Sequence, residues 1–341
     1  MSATAIAPMS IVPAGAAESG EMSERFRLRC PACFAELNGV SVYGTAVGSY
    51  AVLCEGCSFR LEMEHGIWDA ILPERKERFE RFVREYETVR AGEGRGSGDH
   101  IFYLGLPFHD STGHNAGQWK IRARSFRFLE RNILRPLARK RNAGLTVLDL
   151  GAGNGWMSYR LALLGYRPVA VDLLRNTFDG LAAAGHYLGV LPRLFPRFQA
   201  EMERLPFQDA QFDCAIFNAS FHYSEDYVTT FGEALRCVRP GGIVAVVDSP
   251  WYRRAHSGEQ MVAERKRDFQ ERFGFASDSL ASRNFLTDGD LHALQSRFGV
   301  RIGVHRPWYG LGWAARPLVA RMKNRREPSK FRIYVAEVPS A

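Results

Sequence analysis

Residues 147–155 read VLDLGAGNG, a short apolar run with one acidic residue that breaks into three glycines at alternate positions. A helical pattern of apolar residues follows at once, over residues 156–164. A strand that turns into a helix through glycines places backbone N–H groups and a helix N-terminus beside a bound ligand. The G-x-G-x-G spacing differs from the dinucleotide pattern G-x-G-x-x-G, and the G-K-[ST] of a P-loop is absent. This run alone leaves an ordinary tight strand-to-helix connection open as the alternative.

Four further stretches follow in order along the chain. Residues 167–172 (RPVAVD) predict the next strand, which ends in a carboxylate that can accept hydrogen bonds from two ribose hydroxyls. Residues 198–207 read FQAEMERLPF, and residues 212–218 (FDCAIFN) predict a further strand. Residues 235–248 (LRCVRPGGIVAVVD) predict a helix that Pro-Gly-Gly stops before a new strand opens.

Together the five stretches resemble the motifs of class I S-adenosylmethionine (SAM)-dependent methyltransferases, and most closely those of the type 11 branch. The resemblance covers residues 117–338 and implies an α/β, Rossmann-like fold with a seven-stranded, mostly parallel sheet. Residues 300–304 and 331–336 are the expected last strands, and the final one is expected to run antiparallel to its neighbours. The resemblance implies SAM as the cofactor and the following cofactor-binding residues: Asp149, Gly151, Ala152, Gly153, Gly155, Asp172, Leu173, Glu201, Met202 and Asn218. Within this set, Glu201 takes the position that meets the adenine amino group, and Met202 the position beside the adenine plane.

The loop that follows the strand at residues 212–218 supplies the catalytic candidate. His222 is expected where the acceptor approaches, and it could act as a general base toward a hydroxyl or an acidic carbon. A simple wall residue is the alternative at this position. Tyr223 and His256 are secondary candidates.

A second pattern lies near the N-terminus, where four cysteines have the spacing C-x₂-C-x₂₀-C-x₂-C. They are Cys30, Cys33, Cys54 and Cys57. Two such pairs can complete a tetrahedral S₄ site, so the spacing predicts a zinc ribbon with a structural zinc and a β-hairpin over residues 40–53. A ribbon that has lost its metal and a redox pair are the alternatives. Cys214 and Cys237 lie in core-like runs and are expected to be buried as small hydrophobes.

The chain is expected to divide into four parts: a disordered tail (1–24), the zinc ribbon (25–72), a helix with a flexible linker (73–99) and the methyltransferase domain (100–341). Within the last part, residues 100–141 are the expected lid and residues 250–286 an insert that shapes the acceptor pocket. The lid begins with a loop-like aromatic stretch. Its candidates for contacts with the acceptor or with the SAM carboxylate are Tyr103, His109, Trp119 and Arg122. The helix at residues 73–90 is expected to pack against the neighbouring domain.

The formal net charge of +8 suits a polyanionic partner without requiring one. A zinc module followed by a methyltransferase domain is similar in layout to bacterial rRNA guanine methyltransferases, so an rRNA or tRNA base is one possible acceptor. The type 11 motifs, the aromatic lid and the insert favour a small-molecule or lipid-like acceptor instead, and a non-catalytic scaffold is a third interpretation.

The basic, aromatic stretch over residues 306–330 could grip RNA or an anionic lipid surface, or could simply be a solvated helix face. The sequence shows no signal-peptide pattern and no transmembrane segment, so a cytoplasmic location is expected. The oligomeric state is left open.

Overall fold

The computed structural model describes residues 26–37 and 50–339. The predicted tail and most of the predicted hairpin at residues 40–53 lie outside the described residues. The hairpin that the structure shows is formed by β1 (Tyr50–Leu53) and β2 (Arg60–Glu64), and it encloses the second cysteine pair. A third short strand, β3 (Ile67–Asp69), pairs antiparallel with β2.

Seven further strands build the main sheet. They are β4 (Thr146–Leu150), β5 (Arg167–Asp172), β6 (Arg197–Gln199), β7 (Phe212–Asn218), β8 (Val238–Val247), β9 (Ile302–His305) and β10 (Ile333–Glu337). The sheet order is β1-β2-β3-β6-β5-β4-β7-β8-β10-β9. Strands β4 to β8 run parallel, and β10 runs antiparallel to both β8 and β9. The predicted fold class is therefore confirmed, including the antiparallel last strand.

One local prediction about this sheet is wrong. Pro240, Gly241 and Gly242 do not separate a helix from a strand, because β8 already begins at Val238. The turn-forming residues instead lie in an irregular stretch of β8, where the register with β7 shifts.

The zinc-ribbon region is joined to the main sheet rather than standing apart. β3 pairs in parallel with β6, which places Trp68 opposite Phe198. The two rings stack with centroids 6.2 Å apart, and both belong to one buried cluster with residues from the ribbon and from β4 and β5. The ribbon (25–72) and the methyltransferase domain (100–341), which are separate parts in the predicted division, thus share a hydrophobic core.

The helices flank this sheet. They are α1 (Pro73–Gly92), α2 (His100–Gly105), α3 (Ala116–Leu129), α4 (Arg135–Arg141), α5 (Trp156–Leu163), α6 (Tyr227–Cys237), α7 (Ala255–Phe273), α8 (Asp288–Phe298), α9 (Leu311–Ala314) and α10 (Arg316–Met322). A π-helical turn (Glu130–Leu134) joins α3 to α4. Two 3₁₀ turns, Leu181–Tyr187 and Phe221–Tyr223, follow β5 and β7.

Two predictions about the connecting segments need correction. The start of the lid is helical, because the Asp99 side chain caps α2 by accepting a hydrogen bond from the backbone N–H of Ile101. The expected flexible linker is fixed: α1 continues to Gly92, and the Asn115 amide then donates to the carbonyl of Glu93 at 3.1 Å. The chain between ribbon and lid is therefore packed structure.

Among the helices of the described ranges, none combines the length and the apolar character that crossing a bilayer requires.

Candidate active site

A cavity of about 330 Å³ opens at the carboxyl ends of the parallel strands, where open α/β sheets bind their ligands. One wall comes from the strand ends and the loops after them. It includes Gly151, Ala152, Gly153, Asn154, Asp172, Leu173, Asp179, Ala200, Met202, Asn218 and Ser220. The other wall comes from α1, α3, α7 and the segments after β7 and α7. It includes Phe82, Tyr86, Arg90, Trp119, Arg122, His222, Tyr223, Arg265, Phe269, Leu280 and Asn284.

The glycine loop owes its shape to residues without a side chain. Gly151 has a φ of 73°, in the left-handed region that favours glycine. A Cβ atom at this position would lie 2.2 Å from the Ser220 Cβ. At Gly155, also with a positive φ, a Cβ would lie 2.9 Å from the Phe195 ring. The loop can therefore pack closely over the sheet and leave its backbone exposed to a ligand.

Asp172 ends β5 beside this loop, as predicted. Its Oδ2 accepts a hydrogen bond from the Gly153 N–H at 2.7 Å, and its Oδ1 accepts one from the Leu174 N–H at 2.8 Å. Each carboxylate oxygen keeps a further acceptor site, so two hydroxyl donors can still bind. Burial raises the pKa of Asp172 to about 6, although the backbone hydrogen bonds favour the ionised form.

Asp149 lies beneath the loop and does not line the cavity. Its Oδ2 accepts a hydrogen bond from the Ser158 hydroxyl at 2.8 Å, which ties β4 to α5. The side chain is fully buried, and burial raises its pKa to about 7. The geometry makes Asp149 a positioning residue for the loop.

Glu201 is engaged with another part of the chain. Its two oxygens accept hydrogen bonds from the Arg75 guanidinium at 2.6 and 2.5 Å. This bidentate pair joins α1 to the loop after β6, while the neighbouring Ala200 and Met202 face the cavity. A contact between Glu201 and adenine stays a prediction, and it requires the carboxylate to accept a further bond.

An aromatic group forms part of the opposite wall. The Tyr86 ring lies 5.4 Å from Phe82 and 5.7 Å from Tyr223, measured between centroids. The sequence favours packing over ligand binding for the aromatic side chains of α1, and in the structure Phe82 and Tyr86 also line the cavity. No sequence motif links these positions to Tyr223, because they lie far apart along the chain.

Four arginines border the cavity and differ in their partners. Two have carboxylate partners within the site: Arg90 pairs with Asp179 and Arg95 with Glu93. Arg122 instead lies over the Trp119 ring and Arg265 over the Phe269 ring. Across the described ranges, neither Arg122 nor Arg265 forms an ion pair, and the buried Nε of Arg265 has no hydrogen-bond partner. Both arginines thus lie at the cavity without a directly paired carboxylate, although the nearby charge of Asp248 partly offsets the burial that lowers the pKa of Arg122 to about 10.

His222 lies in the same wall, within the turn after β7. Its Nδ1 is 3.3 Å from the Ser249 hydroxyl. Burial, together with the charges of Arg265 and Arg122, lowers its pKa to about 3. His222 is therefore neutral at physiological pH and is a weak base.

The remaining candidates separate into those at the cavity and those away from it. Trp119, Arg122 and Tyr223 line it, as do Leu173 and Asn218. Tyr103 does not, since its hydroxyl donates to the Phe178 carbonyl at 2.7 Å. His109 is not among the lining residues. His256 is exposed on α7. The insert supplies Arg265 and Phe269, which the sequence left unassigned.

The four ribbon cysteines converge as their spacing predicts. Their Sγ atoms all lie within 4.8 Å of one another. Cys30 is 3.5 Å from Cys57, and Cys33 is 3.5 Å from Cys54, so each contact joins the two pairs. Four thiols at these separations fit a tetrahedral zinc site with no position left for water. Cys214 and Cys237 are buried, as expected.

Comparison with known proteins identifies the domain around the cavity. Residues 148–246 match the family model described as "Methyltransferase domain". The chain is 31% identical over 103 residues to a malonyl-[acyl-carrier protein] O-methyltransferase of Buchnera aphidicola, covering 29% of this chain and 38% of that protein. It is 34% identical over 116 residues to the enzyme of the same name from Pseudescherichia vulneris, covering 33% and 41%. The matches thus span about two fifths of these relatives' length.

Among solved structures, a SAM-dependent methyltransferase from Mesorhizobium loti aligns with a TM-score of 0.39 and 20% identity. The alignment covers 61% of this chain and 99% of that one. The family match and the strand order together identify a class I SAM-dependent methyltransferase domain within this chain.

Proposed function

We propose that this protein transfers a methyl group from SAM to a small-molecule or lipid-like acceptor. The observation that carries the proposal is the pairing of the two cavity walls. The glycine loop and Asp172 form a nucleotide-binding wall, and a largely aromatic wall faces them across a cavity of about 330 Å³. A volume of this order suits small molecules.

The residues of the first wall fit SAM. Asp172 can accept both ribose hydroxyls, and the buried Oδ1 of Asn218 lacks a hydrogen-bond partner and lies at the cavity, where an ammonium group would satisfy it. Bound SAM supplies a sulfonium methyl group already activated for in-line displacement. The protein residues orient the acceptor and exclude water from the site. Arg122, on the lid helix, is the residue we assign to the SAM carboxylate.

The second wall favours an acceptor that carries an anionic group on an apolar body. Arg265 comes from the insert and has a buried, unpartnered Nε beside the aromatic wall. The residue as a whole is half-buried, but a buried N–H without a partner is costly, and a carboxylate or phosphate would satisfy it. The relatives' printed names are compatible with this, since malonyl groups are acidic.

The low pKa of His222 is compatible with an anionic acceptor, because such an acceptor does not require a strong base. A carboxylate oxygen attacks the methyl carbon without losing a proton, so such an acceptor needs no base. If the nucleophile is instead a hydroxyl on an anionic molecule, the bound negative charge offsets Arg265 and raises the pKa of His222. His222 would then accept the proton as the new O–CH₃ bond forms.

The RNA alternative is less well supported by the ribbon. Residues 25–72 contain four basic and five acidic side chains, and two of the basic ones, Arg29 and Arg60, pair with glutamates. A module with this balance lacks the positive surface that phosphate binding requires. For the zinc itself, we propose a structural role, since all four ligands are thiols.

Two measurements test the proposal. Calorimetric titration of the full chain with S-adenosylhomocysteine (SAH) should show binding that falls about 10- to 100-fold in Asp172→Asn, because two charge-assisted hydrogen bonds weaken. Asp209→Asn, at an exposed carboxylate away from the cavity, is the matched control.

The second measurement supplies methyl-labelled SAM and an extract of the source cells. Label in the organic-extractable fraction supports the proposal, whereas label in RNA refutes it in favour of the alternative. SAH binding without any transfer would indicate a scaffold.

A further inference from the structure

The segment that joins β9 to β10 has an unusual composition. Residues 306–326 contain six basic side chains and no acidic one. The segment includes α9 and α10, which follow each other with one residue between them. It lies outside the methyl-transfer chemistry proposed above.

Three large apolar side chains of this segment project into solvent. Leu311 is 80% exposed, Leu318 63% and Met322 77%. Their spacing of seven and four residues places them on one side of a helical stretch. Trp308, just before the helices, is 66% exposed. Solvent-facing clusters of this kind mark interaction sites in folded proteins.

The opposite side of the segment is anchored to the protein. Tyr309 shares a hydrogen bond of 2.8 Å with the buried Ser125 hydroxyl, and Arg326 binds Glu264 on α7 at 2.6 Å. The Trp313 ring lies 5.3 Å from the Phe331 ring, measured between centroids. These contacts hold the segment in place, so the apolar side chains point outward on a fixed support.

Cations surround the exposed stripe. Arg321, Lys323 and Arg325 are exposed, and none of them forms an ion pair with any residue that the structure describes. A row of exposed aliphatic side chains flanked by free cations matches what an anionic lipid surface binds: the apolar groups enter the acyl boundary and the cations meet the headgroups. An exposed Trp is also typical of the lipid–water interface.

We propose that the 306–326 segment docks this protein onto the surface of an anionic lipid bilayer. RNA fits less well, because single-stranded RNA is held by stacking on successive aromatic rings, whereas Leu311, Leu318 and Met322 beside Trp308 are not aromatic. Pro250 lines both the active-site cavity and the groove beneath this segment. Docking would therefore place the cavity close to the bilayer, although the docking itself does not depend on methyl transfer.

Vesicle co-sedimentation of the full chain tests the proposal. Vesicles of equimolar phosphatidylcholine and phosphatidylglycerol should retain the protein, and pure phosphatidylcholine vesicles should retain at least about tenfold less, since the cations favour anionic headgroups. Retention should fall as salt is raised. Equal or absent retention on the two vesicle types would overturn the proposal.

Two triple variants test whether the exposed apolar side chains of this segment are responsible for vesicle binding. The triple variant Leu311→Ser, Leu318→Ser, Met322→Ser should lose binding by about tenfold or more while its SAH affinity stays unchanged. The matched control Leu164→Ser, Leu188→Ser, Val190→Ser removes exposed apolar side chains elsewhere and should bind vesicles normally. If the first variant binds like the wild type, or if its main effect is to convert a dimer into a monomer in sedimentation velocity, the surface is not a lipid-docking site.

Discussion

The two walls of the cavity are built in different ways. The wall that we assign to SAM is formed by the glycine loop and by residues at or just after the ends of β4, β5 and β7. The wall that we assign to the acceptor is formed by residues that α1, α3 and α7 bring together from distant parts of the chain. The first wall should therefore tolerate little change in shape. The second wall, apart from Arg122, which we assign to the SAM carboxylate, should allow changes in selectivity without loss of cofactor binding. The predictions below test this difference.

The largest effect is expected from Gly151→Ala. The new methyl group would clash with the Ser220 side chain at a φ of 73°. We expect SAH affinity to fall more than about 100-fold and the free energy of unfolding to fall by about 2–4 kcal/mol. Calorimetry and urea denaturation measure the two quantities.

The control for this change is Gly185→Ala, at a glycine with no atom near the added methyl. It should leave both quantities within error. Unchanged SAH affinity in Gly151→Ala would show that the loop does not hold the cofactor.

Removal of zinc should act on the second wall through α1, and on the first through the bond between Arg75 of α1 and Glu201. The ribbon shares its core with β6, and α1 leads from the ribbon to the cavity. We expect chelation to lower the free energy of unfolding by at least about 2 kcal/mol and to expose α1 to hydrogen exchange.

Cys33→Ser provides the comparison, because it should bind less zinc and show no further change on chelation. A protein that contains no zinc when purified, or that unfolds identically with and without it, would contradict the structural role.

Arg265→Gln should distinguish acceptor binding from cofactor binding most clearly. With SAH present, the wild type should bind octanoate or octyl phosphate better than octanol, and the variant should lose about tenfold or more of this preference. SAH affinity should stay unchanged in Arg265→Gln and fall in Arg122→Gln. Fluorescence or calorimetric titration measures all three ligands, and the response to the two anions distinguishes carboxylate from phosphate recognition.

Arg267→Gln, at an exposed arginine on the same helix, is the matched control. If Arg265→Gln weakens SAH binding as much as Arg122→Gln does, Arg265 serves the cofactor and the proposed acceptor charge is wrong.

The smallest effect concerns pH. Asp172 must be ionised to accept two hydroxyl donors, and burial raises its pKa to about 6. Its protonation below that pH should weaken SAH binding by about tenfold between pH 7 and pH 5, with affinity rising as pH rises. The affinity of Asp172→Asn should be nearly flat over this range. If Asp172→Asn keeps the full pH dependence, Asp149, whose pKa is about 7, is the group responsible for it.

The difference between local patterns and contacts of distant segments explains which features the sequence could predict. The glycine loop, Asp172 and the two cysteine pairs are local patterns whose geometry follows from a few adjacent residues, and the structure places them as expected. The mostly parallel sheet with an antiparallel last strand follows from the family resemblance and is confirmed, and β1 to β3 extend the seven expected strands to ten.

The features that the sequence did not predict depend on contacts between distant segments. The bond between Arg75 and Glu201 and the position of Arg265 beside His222 arise only when α1 and α7 fold over the sheet. The glycines and polar residues after Gly92 are typical of a flexible linker, yet the segment is packed. Its order depends on Asn115, a residue of the lid.

The parallel pairing of β3 with β6 also has a consequence for biosynthesis. β6 is only three residues long, and it would be the edge of the main sheet if β3 did not cover it. Exposed sheet edges can pair with other chains and aggregate. Because translation produces the ribbon long before β6, a ribbon already folded around its metal can receive β6 as that strand leaves the ribosome. Zinc supply during synthesis should therefore set the yield of soluble protein more strongly than zinc added after folding, which expression in zinc-limited and zinc-replete medium can measure.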